Sequence, residues 1–441
     1  MDSISNSKRG FAIRCALIAS LGGFLFGFET AVISGAEKNI QQLWALNSFW
    51  QGFTVSSSLI GTVIGALVAS IPAQKFGRKK VLIVIALAYL CSAVGCALSS
   101  NWSLFILSRF IGGLAVGMSS VVGPIYISEI APANIRGRLT SSFQFMIVLG
   151  IFIAYLTNFL FVGMGDEAWR WMLGIMVVPS LLFFGLLQLI PESPRWLMMQ
   201  GKQEKARDIF HKLGEPDMEN VLRASAQSGT TKDSLFQRKY RKPILYAVIL
   251  AMFNQLSGIN AILYYAPRIF ELAGFDQQLA YLQPVFIGGA NLLFTCLAMM
   301  IIDKFGRKKL LLIGSVGMFV FLALVAHAFS QGIAGASWVL IYLIGFIAFF
   351  AFSQGAVIWV FIAEIFPNNV RSQGSSLGSS THWIMAAAIS WVFPVIAEGN
   401  PNGGFYSFLF YSIMMAVSFF FIWKFMPETK GKSLEEIQEA L

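Results

Sequence analysis

Charge is what this sequence has least of. Asp, Glu, Lys and Arg supply 12% of its 441 residues, apolar residues supply 56%, and the mean hydropathy is +0.68. Soluble globular domains carry about 25% charged residues, so a chain folded in water around one core is excluded. Histidine and cysteine are also scarce, with three and four residues. Cys15, Cys91, Cys96 and Cys296 fall inside apolar stretches without zinc-like spacing or a histidine beside them, and they read as small buried hydrophobes. No metal site and no cofactor are expected. No nucleophile–base set or phosphate loop stands out, His211 and His327 read as a loop and a span-end residue, and an enzyme is not expected.

Present in excess are 41 Phe, 40 Gly and 11 Trp, the composition of a polytopic helical membrane protein, in which small residues let helices approach closely. A spanning helix needs about 20 mostly apolar residues. Twelve stretches qualify: 12–36, 52–73, 81–99, 102–128, 139–162, 171–190, 243–266, 282–302, 310–329, 337–363, 375–397 and 404–426. The first lacks a small-residue cleavage site and is read as a span, not a removed signal peptide. With both termini cytoplasmic, 28 of the 32 Lys and Arg lie on the cytoplasmic side; Lys38, Arg170 and Arg268 lie outside and Arg109 lies within the membrane. The net charge of +10 is therefore a topology signal, and no nucleic-acid partner is expected.

A polar segment, 191–242, divides six spans from six. The expected organisation is a bundle at 1–190, a cytoplasmic linker with short helices at 191–242, a second bundle at 243–427 and a cytoplasmic tail at 428–441. Ser193 and Pro194 read as a helix start, Ser225–Ser234 as a flexible break, and Ser433-Leu-Glu-Glu436 as a capping box. The halves repeat the same marks in order. KFGRKK stands at 75–80 and 304–309, Glu129 to Arg136 is echoed by Glu364 to Arg371, and Pro191-Glu-Ser by Pro427-Glu-Thr. Such duplication fits a transporter whose two bundles rock around a central site. Arg78, Glu129, Arg136 and Glu192 in one half, with Arg307, Glu364, Arg371 and Glu428 in the other, form a candidate cytoplasmic gate of breakable ion pairs; static surface pairs are the alternative.

Inside the spans, neutral amides dominate the polar side chains. Gln255 lies 12 residues after Pro243, about 18 Å into span seven and near mid-bilayer. Asn260 follows, with Ser257-Gly258 between them as a point where the helix can bend. Two full charges also stand in apolar spans. Glu29 is eight residues from Glu37 at one end of span one, and Arg109 eight residues from Asn101 at the end of span four. Both lie about 12 Å from the same boundary, so each is the partner the other needs. A proton-coupling pair and a permanently ionised structural pair both fit. Asn101-Trp-Ser103 matches a glycosylation sequon but sits against a span end and is expected to be unused.

These marks carry a resemblance. From Gly22-Gly-Phe-Leu-Phe-Gly27 to Pro427-Glu-Thr-Lys-Gly431, and through Pro191-Glu-Ser-Pro-Arg-Trp-Leu197 and Gln255-Leu-Ser-Gly-Ile-Asn260, the chain resembles the sugar porter family of the major facilitator superfamily. It departs from the family pattern at Gln74, usually Asp, at Ser372, usually Gly, and in span ten, where Ser353-Gln-Gly-Ala-Val-Ile-Trp359 lacks the prolines of animal facilitators. The resemblance implies an all-α fold of twelve transmembrane helices in two six-helix bundles. It adds Gln144, Asn254, Asn291, Trp359, His382 and Trp383 to the pocket of Gln255 and Asn260, with Asn254 and His382 standing where Gln, or Gln and Asn, are common. Tyr264 and Tyr265 resemble outer-gate aromatics; interfacial belt residues are the alternative. Proton symporters of the family have a carboxylate and an Arg at the positions of Glu29 and Arg109, the carboxylate usually Asp. The implied function is monosaccharide transport by alternating access with proton symport, by a monomer in the lipid bilayer of a bacterial inner membrane. An uncoupled uniporter and a sugar sensor that does not translocate are the alternatives.

Overall fold

The computed structural model describes residues 2–132, 135–213, 234–332, 336–367 and 370–428. The Ser433–Glu436 capping box and most of the 225–234 stretch lie outside the described residues. In chain order the helices are α1 (Asp2–Leu43), α2 (Ser48–Val68), α3 (Ser70–Phe76), α4 (Arg78–Leu98), α5 (Trp102–Ile130), α6 (Arg136–Phe161), α7 (Ala168–Gly174), α8 (Val177–Leu187), α9 (Pro194–Met199) and α10 (Gln203–Leu213). There follow α11 (Arg241–Leu256), α12 (Ile259–Tyr264), α13 (Ala266–Leu272), α14 (Gln277–Phe305), α15 (Arg307–Ser330), α16 (Ala336–Phe350), a π-helical turn (Ala351–Gly355), α17 (Ala356–Glu364), α18 (Arg371–Gly399) and α19 (Gly403–Phe425). Among the described residues twelve helical stretches are long and apolar enough to cross a membrane.

Proline decides where several spans break. The second span was expected to run to residue 73, but α2 stops at Val68, the residue whose carbonyl Pro72 cannot bond. Span six divides at Ile175–Met176, four residues before Pro179, in the same way. Two such orphaned carbonyls are rescued by tyrosines. Pro267 leaves the Leu263 carbonyl without an amide, and the Tyr155 hydroxyl donates to it at 2.7 Å. Pro394 leaves the Ser390 carbonyl free, and Tyr265 donates to it at 3.0 Å. Span seven also breaks at the expected Ser257-Gly258 point, where Gly258 adopts a φ of 81°. Ser193 caps α9 by accepting from the Trp196 amide, with Pro194 in the first turn, as its sequence indicates.

The chain forms two compact units. One comprises residues 1–29, 61–151 and 173–231, the other 30–60, 152–172 and 232–441. They cut across the six-plus-six division that the repeats suggest, because the second unit takes one end of α1, of α2 and of α6. In the first unit, helices meet backbone to backbone. A Cβ on Gly27 would fall 1.8 Å from the Ile147 carbonyl oxygen, and one on Gly117 2.2 Å from that of Thr62. The second unit holds an apolar cluster including Leu250, Leu311, Val357, Phe361, Phe366 and Ile422.

Candidate functional site

In the first unit the Arg109 guanidinium donates from Nη1 to the Glu29 carboxylate. Both are buried, at 0% and 3% exposure. Gly112, one helical turn from Arg109, makes room: a Cβ there would stand 2.8 Å from Glu29 Oε1. Among the described residues, Arg109 Nε and Nη2 have no hydrogen-bond partner. Each missing bond at such depth is costly, so the site holds its charges with part of their hydrogen-bonding capacity unspent. Asn101 uses its side chain to cap α5, accepting from the Leu104 amide at 2.9 Å.

The repeated basic turns are built alike within each unit. Gly77 has a φ of 100°, and a Cβ on it would lie 2.2 Å from Glu192 Oε2; Gly306 has a φ of 87° with Glu428 Oε2 in the same place. Glu192 Oε1 accepts from the amides of Arg78 and Lys79 at 2.9 and 3.0 Å. Glu428 accepts from Arg307 and Lys308 at 2.9 and 3.1 Å. Each carboxylate thus sits on the positive end of the helix that follows the turn. Glu129 is held by Arg78, whose Nε and Nη2 each donate at 2.9 Å, and by Ser193 Oγ at 2.6 Å. The planar fork of Arg78 matches both carboxylate oxygens. Arg136 Nε is buried and has no hydrogen-bond partner among the described residues. In the second unit Arg307 Nη2 donates to Glu364 at 3.0 Å, and Arg371 Nε to the Phe366 carbonyl at 3.4 Å.

The second unit assembles the amides. Gln255 lies at the centre: its Nε2 donates to Asn254 Oδ1 at 2.9 Å and approaches the His382 ring nitrogens at 3.1 and 3.3 Å, while its Oε1 accepts from Asn260 Nδ2 at 2.7 Å. Trp359 lies against the imidazole with ring centroids 4.7 Å apart, and Trp383 at 4.9 Å. Asn254, Gln255, Asn260, His382 and Trp383 are buried, whereas Trp359 is 38% exposed. Asn291 is buried on α14 and accepts from Thr295 at 3.4 Å. Tyr264 and Tyr265 are buried on span seven, Tyr265 against Phe393. Gln144 stands half-buried on α6, in the other unit. Polar hydrogen-bonding edges beside an indole face suit a ligand with many hydroxyls and an apolar ring face.

Two features were missed in the sequence. Gln354 is fully buried on the π turn, and its carbonyl accepts from Asn254 Nδ2 at 3.1 Å. Also in the second unit, Arg268 donates to Glu37 at 2.8 Å and further to Glu398 and Gln41, Gln51 donates to Glu37 at 2.6 Å, and Lys38 pairs with Glu271 at 2.6 Å. Lys38 and Arg268, set apart by the charge count, were the available signal for this cluster.

The family description "Sugar (and other) transporter" matches residues 15–441. The chain belongs to that family. It is 37% identical to an arabinose-proton symporter of Bacillus subtilis over 98% of this chain and 95% of the relative, and 36% identical to a D-xylose-proton symporter of Escherichia coli over 99% and 97%. Among solved structures, the xylose transporter XylE from E. coli in a partially occluded inward open conformation superposes with a TM-score of 0.86 at 34% identity, covering 96% of this chain and all of XylE. XylE bound to 6-bromo-6-deoxy-D-glucose gives 0.80 at 35% identity, covering 98% and 99%. The all-helical architecture of this family is the one the twelve spans adopt.

Proposed function

We propose that this protein carries a monosaccharide across the membrane together with a proton, by alternating access. The observation that carries the coupled reading is the buried Glu29–Arg109 pair. With Glu29 ionised, the pair holds α1 to α5; protonation removes the attraction and frees that contact to change as sugar binds. The sugar is received by Gln255, Asn260 and His382 with Trp359 as platform, and Gln144, Asn254, Asn291 and Trp383 complete the pocket. Names of relatives that transport arabinose, xylose and glucose support a pentose or hexose as substrate.

In this reading the two six-helix halves are the moving parts, and Tyr264 and Tyr265 cover the outer side of the site. Arg78, Glu129, Arg136 and Glu192, with their counterparts Arg307, Glu364, Arg371 and Glu428, regulate the cytoplasmic side. Both termini and the 191–242 segment are cytoplasmic, supported by the distribution of Lys and Arg. The protein acts as a monomer in a bacterial inner membrane and performs no chemistry on the sugar. The test is uptake of labelled xylose, arabinose, glucose, galactose and fructose into proteoliposomes with and without an imposed proton gradient. A sugar concentrated only when the gradient is present supports symport; equilibration alone, unaffected by the gradient, identifies a uniporter.

A further inference from the structure

The amides around Gln255 are linked in series, and one atom in that series has an identity that no rotation can exchange. It is the backbone carbonyl of Gln354, which accepts from the Asn254 side chain at 3.1 Å. A carbonyl only accepts, so the Asn254 atom facing it is the NH2 group. That group also lies 3.4 Å from Gln354 Oε1. Asn254 Oδ1 therefore points the other way and accepts from Gln255 Nε2 at 2.9 Å. The orientation of Gln255 follows in turn. Its NH2 group faces the His382 ring, 3.1 and 3.3 Å from the two ring nitrogens, and its Oε1 accepts from Asn260 Nδ2 at 2.7 Å.

We infer that Gln354, through the π turn that carries it, is a positioning residue that sets the donor–acceptor direction of the whole sugar site. π turns inside α-helices are frequent at functional sites. Gln354 is fully buried, and among the described residues its Nε2 has no hydrogen-bond partner and it occupies the one π-helical turn. Its effect reaches the two side chains bonded to Gln255. Asn260 has given its NH2 group to Gln255 and offers the sugar an oxygen, which takes a hydroxyl hydrogen. His382 faces the same NH2 group with both ring nitrogens, at 3.1 and 3.3 Å, an arrangement that disfavours an imidazolium, whose two N–H groups would meet a donor. The site thus fixes the role of one sugar hydroxyl: the one that meets Asn260 must donate.

This inference rests on the sugar reading of the cluster, but its first test needs no sugar. With His211 and His327 replaced by Gln, His382 is the only histidine, and its 15N resonances report its protonation state. A neutral imidazole is expected; an imidazolium at neutral pH, which would have to face the Gln255 oxygen, overturns the assigned direction. Asn254→Leu removes the group that reads the carbonyl, and the KM for sugar should then rise by about tenfold with kcat little changed. Asn254→Gln, which keeps an amide, should restore it. An unaltered KM in Asn254→Leu would show that Gln354 does not set the direction. Deoxy and deoxyfluoro sugars provide the third readout, because fluorine accepts weakly and never donates. The hydroxyl that donates to Asn260 should tolerate neither hydrogen nor fluorine, and that requirement should vanish in Asn260→Ala; its persistence there counts against the assigned acceptor. A protein with a neutral His382 that binds no monosaccharide would sink the sugar reading and leave the polarity of the chain standing.

Discussion

Glu29 and Arg109, 80 residues apart in the chain, meet in a buried ion pair whose side chains are 4% and 1% exposed. Breaking such a pair on one side leaves an uncompensated charge, which typically costs 3–5 kcal/mol, whereas neutralising the acid by protonation is reversible. Glu29→Gln mimics the neutral acid in nearly the same volume. It should abolish proton-driven accumulation and retain sugar exchange between the two sides of a vesicle. Accumulation that persists in this variant under an imposed proton gradient would leave the pair a purely structural role.

Gln255 and Asn260 are expected to weaken sugar binding when either is truncated to Ala. The loss is about 1–3 kcal/mol each, because a polar sugar group or a buried amide is left without its partner. Titration calorimetry on the purified protein checks this, and two variants that bind like the wild type would make the amides a link between helices.

His382→Gln should retain binding, since a carboxamide can accept from Gln255 and still present a donor, while His382→Ala should lose it. Equal affinity in the Ala variant would remove the imidazole from the site.

Glu428→Ala uncovers the amides of Arg307 and Lys308 at the start of α15. Loss of a cap of this kind costs about 0.5–2 kcal/mol, and Glu192→Ala should cost a similar amount at α4. Thermal unfolding in detergent should show a lower midpoint for each variant; a midpoint unchanged in both would mean that water replaces the carboxylates without loss.

Topology is tested at Ser225, in the segment between the halves. In a variant whose four native cysteines are serine, Ser225→Cys should resist a membrane-impermeant thiol reagent added to intact cells and react after lysis. Rapid labelling of intact cells would invert the orientation.

The spans and the Glu29–Arg109 partnership were legible because they depend on sums and on depth. Hydropathy over twenty residues and eight-residue distances to a span end survive ignorance of packing. The break at Val68 was legible in principle from Pro72, but the hydrophobic run continues through it and hides it. Choice of ion-pair partner was less accessible. Glu129 lies nearer in sequence to Arg136 than to Arg78, yet Arg78 reaches it with a two-pronged fork across helices that sequence distance does not record. Gln354 was invisible for a different reason: its influence runs through a main-chain oxygen, which every residue has, and through a local winding that its side chain does not announce.

The glycine contacts of the first unit have a mechanical consequence. Where Gly27 meets the Ile147 carbonyl and Gly117 that of Thr62, no side-chain layer lies between the helices to deform under load. Interfaces padded by side chains absorb small displacements through rotamer changes, whereas touching backbones can slide only by shifting whole residues past one another. Each of these two helix pairs therefore behaves as a stiff lever. In the proposed coupling, a displacement of α1 at Glu29 would be carried to α6 through the Gly27–Ile147 contact.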